Sequence, residues 1–91
     1  MAGIVGSYAR INGAGTTTVR TGSGVLHRIT INTGAAGSVT VFDNTAGSGT
    51  TIATITVAAA APPVTLDYDL QFNIGLTLVV VGAIELTVVH L

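Results

Sequence analysis

Short runs of β-branched and other apolar residues alternate with polar residues along most of the chain, and clusters of Gly, Ser, Asn or Pro separate these runs. Such alternation is typical of half-buried β-strands, because successive side chains of a strand point to opposite faces of a sheet. No segment of helical length repeats with a period of 3.6 residues. The predicted strands are 16–21, 25–32, 38–43, 51–58, 64–70, 76–81 and 85–91.

The alternation also predicts which side chains share a face. In segment 25–32, one face carries Val25, His27, Ile29 and Ile31, and the other carries Leu26, Arg28, Thr30 and Asn32. In segment 64–70, one face carries Val64, Leu66, Tyr68 and Leu70, and the other carries Thr65, Asp67 and Asp69. In segment 51–58, Ala53, Ile55 and Val57 lie opposite Ile52, Thr54 and Thr56. We expect the more apolar face of each strand to line a core.

These strands predict an all-β fold, a single-domain β-sandwich or jelly roll of about seven or eight short antiparallel strands. No predicted helix is available to cover an apolar sheet face, so one sheet must cover another. The segment 1–15 is Gly-rich with scattered apolar residues. It is predicted to be a flexible N-terminal arm, followed by the β-sandwich domain over 16–91.

Composition narrows the choice of function. The 91 residues include three Lys and Arg residues, four Asp and Glu residues and no Cys, and the net charge is -1. The arginines are widely spaced, whereas a nucleic-acid surface needs clustered phosphate contacts, so no nucleic-acid partner is expected. Segment 74–91 has the length of a membrane span, but Glu85 and two glycines interrupt it. It is predicted to form two strands, with no membrane partner.

Low charge and small size favour association with other subunits. Only 8% of the residues are charged, which is far below the usual charge of a monomer's surface. A domain of this length has a thin stability margin without disulfides or metals. A monomer whose outer strand faces carry Thr and Ser remains the alternative interpretation.

The candidate chemical groups are few. Asp67 and Asp69 share a strand face and resemble a cation site, but calcium needs six or more oxygens. They are interpreted as solvated acids or as an interface pair with Arg20 or Arg28. His27 and His90 are interpreted as hydrogen-bonded packing or subunit-contact residues.

Asp43 with Asn44 is typical of a turn start, since short polar side chains bond the nearby backbone. The pairs Gly13/Gly15, Gly22/Gly24 and Gly47/Gly49 are interpreted as turns.

We therefore predict a protein that is not an enzyme, with no catalytic residue, cofactor or metal. The candidate interface residues are Tyr8, Arg10, Arg20, Arg28 and Phe42. Phe42 is chosen because aromatic anchors dominate contact energies. Tyr8 and Arg10 belong to the predicted arm, which could order on a neighbouring subunit.

About three quarters of the chain, from Gly22 to Leu91, resembles small structural proteins of tailed bacteriophage virions. The resemblance lies in turn and core motifs. They are Gly22-Ser23-Gly24-Val25-Leu26, Ile29-Thr30-Ile31-Asn32, Val39-Thr40-Val41-Phe42-Asp43-Asn44, Ser48-Gly49-Thr50, Ile52-Ala53-Thr54-Ile55, Leu66-Asp67-Tyr68-Asp69, Phe72-Asn73, Gly75-Leu76 and a Thr-Val-Val ending. Head decoration (cement) proteins are the most similar of these.

The resemblance implies a virion component on the outer surface of the capsid that bridges and stabilises subunits of the major capsid protein. It also implies self-association as a homotrimer. One alternative is a tail, baseplate or head-fibre module that contacts a host surface. Another is a small hydrolase or sugar-binding jelly roll, which predicts a pocket lined by His27 or His90 with Asp67 and Asp69 nearby.

Overall fold

The computed structural model describes residues 6–91, which fold into eight antiparallel strands joined by short connections. The strands are β1 (Ser7–Asn12), β2 (Gly15–Thr21), β3 (Gly24–Thr33), β4 (Gly37–Asp43), β5 (Thr50–Val57), β6 (Val64–Phe72), β7 (Gly75–Val81) and β8 (Glu85–His90). Among these residues no helix is long and apolar enough to cross a membrane.

The strands form two four-stranded sheets. Sheet A has the order β1-β8-β3-β6, and sheet B has the order β2-β7-β4-β5. The first strand thus pairs with the last, the second with the seventh, the third with the sixth and the fourth with the fifth. This is the order of a hairpin rolled up into a jelly roll. The predicted all-β sandwich or jelly roll of seven or eight strands is confirmed.

The N-terminal region differs from the predicted arm over 1–15. Residues 7–12 form β1, which pairs along its whole length with β8, and Ile11 is buried in the core. Gly15 already begins β2. The apolar residues of this region were too scattered to indicate a strand, and the pairing with β8 orders it. Residues 1–5 of the predicted arm lie outside the described residues.

The predicted face of segment 25–32 needs a correction at a β-bulge in β3. Leu26 and Arg28 lie opposite His90 and Val89, which are consecutive in β8, so His27 is an extra residue. A bulge of this kind reverses the alternation on one side of it. Leu26 is therefore fully buried, and His27 bonds to outer-face residues instead of sharing the core face with Ile29.

The core lies between the two sheets. Its buried residues are Ile11, Leu26, Ile29, Ile31, Val39, Val41, Val57, Phe72, Leu76, Leu78, Val80, Ile84, Leu86 and Val88. In β6 the predicted faces are confirmed, since Leu66, Tyr68 and Leu70 are partly buried whereas Asp67 and Asp69 are exposed. In β5 a register shift turns Ile52 onto the core, although the alternation assigned it to the opposite face.

Candidate functional site

The outer face of sheet A carries most of the charge of the molecule. Two of the three arginines and three of the four acidic residues lie on it, and we call this surface the charged face. They are Arg10, Arg28, Asp67, Asp69 and Glu85. Each occupies an outward position of its strand, because the intervening residues face the core. Side chains far apart in the sequence therefore meet in rows across the sheet.

A hydrogen-bonded network surrounds His27 at the bulge. Asp69 has a left-handed backbone (φ 50°), and its carboxylate bonds Nδ1 of His27. Nη2 of Arg28 lies 2.8 Å from Nε2 of His27. The imidazole of His27 thus lies between the guanidinium of Arg28 and the carboxylate of Asp69, and it bridges a cation and an anion.

The arginine network includes the second acid of the pair. Nε of Arg28 lies 3.9 Å from Oδ1 of Asp67, across the β3–β6 pairing. Asp67 thus pairs with Arg28 within one chain, and Asp69 takes His27 as its partner, whereas the pairing across an interface stays a prediction. Asp67, Asp69 and Arg28 are exposed, so solvent weakens each pair, whereas the His27 side chain is only 15% exposed. The sequence missed the His27–Asp69 contact, because only the bulge turns His27 to this face.

A second ion pair lies at the β1 side of the charged face. Nε of Arg10 donates to Oε2 of Glu85 at 2.5 Å, and the Thr33 hydroxyl donates to Oε1 of Glu85 at 3.3 Å. Tyr8, opposite Val89, is 74% exposed. The candidate interface residues Tyr8, Arg10 and Arg28 therefore share this face. Outward alternation of β8 was the signal that could have identified Glu85.

Hydroxyl and amide groups connect the charged groups. Oγ1 of Thr30 and Oγ1 of Thr65 are 3.2 Å apart, and Nδ2 of Asn32 donates to Oγ1 of Thr87 at 3.0 Å. These bonds run from strand to strand, as cross-strand pairs do in stable sheets. Many polar groups of the charged face consequently have partners in the same chain.

The outer face of sheet B is different. No charged side chain lies on it among the described residues, and its outward positions are mostly Thr, Ser and Val. The connection 44–49 folds across part of it. The Thr77 hydroxyl donates to the Asn44 carbonyl at 2.8 Å, and the Thr18 hydroxyl donates to the Thr45 carbonyl at 3.3 Å. Phe42, the aromatic interface candidate, lies half-buried on this face opposite Thr77.

Asp43, at the end of β4, holds the turn between β6 and β7. Its carboxylate accepts hydrogen bonds from the backbone N–H groups of Asn73, Ile74 and Gly75. The bonds from Ile74 and Asn73 hold the pKa of Asp43 below its usual value. The predicted turn role belongs to Asn44 instead, whose Oδ1 accepts from Thr45 N–H and whose Nδ2 donates to the Ser48 carbonyl. Asp43 thus accepts hydrogen bonds from backbone groups that are distant in the sequence, and not from its own turn.

His90 lies on the inner face of sheet A and is 8% exposed. Burial lowers its pKa, and the positive charge of Arg20 lowers it further. Its Nδ1 has no hydrogen-bond partner among the described residues, so the expected hydrogen bond is missing at this atom.

Arg20 donates to the Ser23 carbonyl at 2.9 Å. It lies on sheet B, so within one chain it does not pair with Asp67 or Asp69, and a pair between subunits stays a prediction.

The two histidines lie on opposite sides of sheet A, so they do not line one site. Across residues 6–91 no pocket is found, and no group of three or more His, Cys, Asp and Glu side chains is placed to hold a metal. Of the glycines predicted at turns, Gly13, Gly22 and Gly49 lie in connections and have positive φ, which glycine adopts easily. Gly15 and Gly24 instead begin β2 and β3.

Comparison of the chain with models of protein families, with curated proteins and with solved structures finds no match. The surfaces described above therefore carry the functional interpretation.

Proposed function

We propose that this chain is a non-enzymatic structural protein of a tailed bacteriophage virion. It decorates the outside of the capsid as a homotrimer, and its partner there is the major capsid protein. The resemblance of segment 22–91 to small phage structural proteins is the starting point of this proposal, and the distribution of charge over the two sheets supports it.

The unequal charge of the two sheets carries the proposal. On the charged face, ion pairs and hydrogen bonds join residues of the same chain, and the exposed acids are solvated. The outer face of sheet B bears no charge among the described residues, so burying it against a partner removes no ion from water. A protein that binds a shell on one side and faces water on the other needs this asymmetry.

The mechanism requires no reaction. A jelly roll is a rigid support, and the Thr and Ser hydroxyls of sheet B can donate to and accept from a neighbouring subunit. Apolar contact from Val81, which is 58% exposed, would accompany these bonds. Many such contacts across the seams between capsid subunits would resist outward pressure on the shell.

The location and copy number of the chain in purified particles test the proposal. Heads and tails of the virus that encodes the chain are separated and analysed by quantitative mass spectrometry and immunogold labelling. We expect many copies on heads and none on tails. A few copies confined to tails would replace the proposal with the tail, baseplate or head-fibre alternative, and absence from particles would overturn both.

Matched variants test which face binds the shell. Purified protein is added to particles that lack it, and bound protein is measured after sedimentation. Thr56→Asp places a charge on an exposed outward position of sheet B, and Thr65→Asp does the same on the charged face. We expect Thr56→Asp to reduce binding and Thr65→Asp to leave it near the wild-type level. Equal effects of the two variants would contradict the assignment to sheet B.

A further inference from the structure

One end of the sandwich is built without any polar side chain in its connections. Because consecutive strands alternate in direction, the first, third, fifth and seventh connections lie at the same end. They are residues 13–14, 34–36, 58–63 and 82–84. Every residue in them is Gly, Ala, Pro or Ile.

These four connections are in contact with one another. The Gly13 N–H donates to the Ile84 carbonyl at 3.0 Å. Gly82 is packed so closely on Ala36 that an added Cβ would lie 2.5 Å from the Ala36 carbonyl oxygen. A Cβ added to Gly34 would likewise lie 2.7 Å from Cβ of Ala61. The connections therefore form one continuous surface rather than four separate loops.

Two large apolar side chains extend this surface. Val64 begins β6 and is 46% exposed, and Val81 ends β7 and is 58% exposed. Both adjoin the connections of this end. We call the four connections together with Val64 and Val81 the apolar end. Exposed apolar patches that combine several residues in this way mark interaction sites.

The opposite end has a different composition. Its connections, residues 22–23, 44–49 and 73–74, include Ser23, Asn44, Thr45, Ser48 and Asn73. Loops usually carry such polar side chains, which solvate the turns of the chain. The lack of polar side chains is thus a property of one end and not of all turns in this protein.

We infer that the apolar end is a contact surface between copies of this chain. Interfaces between identical subunits are more apolar than those with transient partners, which keep polar groups in contact with water when unbound. A surface without charge also meets its own copy without like-charge repulsion. Small residues allow the backbones to approach closely, and Pro62 and Pro63 restrict the backbone before binding.

The size of the end fits this partner. The molecule measures 34 × 34 × 17 Å, so an end of 34 by 17 Å presents about 600 Å² per copy for contact with its neighbours, the lower limit of what each partner buries in a specific interface. We expect association to be weak in dilute solution and to become strong where a scaffold holds many copies side by side. The inference rests on the homotrimer of the proposed function, and its test needs no virus particle.

Sedimentation equilibrium of the full chain between about 1 µM and about 1 mM tests the inference. Ala36→Glu and Ala59→Glu each place a charge on an exposed position of the apolar end, and Ala46→Glu makes the same change on the exposed 44–49 connection of the other end. We expect wild type and Ala46→Glu to associate alike. We expect either variant of the apolar end to raise the dissociation constant at least about tenfold, because the interface would bury an unpaired carboxylate.

Nuclear magnetic resonance of the wild-type chain gives a measurement that does not depend on the folding of any variant. Amide signals of Gly13, Gly34 and Gly82 should shift with protein concentration, whereas those of Gly22 and Gly47 should not. A wild-type chain that stays monomeric at the highest concentration would overturn the inference, even if it decorates particles. Association that shifts the signals of the other end, or that Ala59→Glu leaves unchanged, would overturn it as well.

Discussion

Single residues set the response of this fold to acid. His90 is buried beside the charge of Arg20, and its imidazole is more easily deprotonated than in an unfolded chain. The unfolded state therefore binds a proton more readily than the folded state. A buried imidazole of this kind makes folding depend on pH in the range where few other groups of this chain titrate.

The first prediction concerns this histidine. The pKa of His90 is lowered from 6.5 in the folded state. The free energy of unfolding should therefore be independent of this group above pH 6.5 and should fall as the pH decreases below that value. Thermal unfolding between about pH 8 and pH 5 measures the effect. His90→Gln should remove much of this pH dependence, whereas His27→Gln, on the outer face, should retain the part due to His90. The same slope in wild type and His90→Gln would contradict this origin.

The second prediction concerns Asp43. Its carboxylate joins the end of β4 to the turn between β6 and β7, and its pKa is lowered from 3.8. The stability that it supplies should be present above pH 3.8 and should be lost as the pH falls below that value. Asp43→Asn should lower the unfolding temperature at neutral pH and speed hydrogen exchange at the Asn73 and Ile74 amides. Unchanged exchange at both amides would show that the carboxylate does not hold the turn.

At the scale of the strands, the bulge in β3 decides which side chains enter the core. The bulge turns Leu26 fully into the core, although strict alternation places this residue on the outer face, while Val25 remains half-buried. The bulge also brings His27 to Asp69. One inserted residue thus changes both the packing of β3 and the chemistry of the charged face.

The third prediction compares the two neighbours. Leu26→Ala should destabilise the fold by about 2–5 kcal/mol, because it leaves a cavity in a closely packed core. Val25→Ala should destabilise it by about 1 kcal/mol, as expected for a residue that keeps part of its surface in water. Denaturant unfolding of both variants gives the comparison. A larger loss of stability for Val25→Ala than for Leu26→Ala would support the uninterrupted alternation instead of the bulge.

Much of the fold could be predicted from the alternation alone. The seven strands expected between residues 16 and 91 are present with small shifts of their ends, because β-branched runs and Gly or Pro turns are local signals. The faces near His27 and Ile52 could not be predicted, since a bulge depends on the register with a partner strand. β1 was missed because its apolar residues are too scattered to indicate a strand, and the Arg10–Glu85 pair on the charged face was missed with it.

At the scale of the whole molecule, β8 is more important than its length suggests. It lies inside sheet A between β1 and β3, and it places Leu86 and Val88 in the core. β1, in contrast, is an edge strand that contributes Ile11. The two strands have the same length of six residues, which makes their removal a matched comparison.

The fourth prediction follows from this difference. A chain that ends at Val81, without β8, should lack a cooperative thermal unfolding transition, because sheet A is divided and loses part of the core. A chain that begins at Gly13, without β1, should keep the transition at a lower temperature. Circular dichroism during heating measures both. A cooperative transition in the chain without β8, and none in the chain without β1, would contradict the topology.

The order of the strands also has a consequence for biosynthesis. The interior strands β7 and β8 follow all other strands of the fold in the sequence, and they join the edge strands β2 and β1 to the rest of their sheets. Until they emerge, the apolar faces of the earlier strands lack their central neighbours and remain open to wrong pairing. Formation of both sheets therefore waits for the last two strands of the fold, and a chain that lacks them exposes apolar surface.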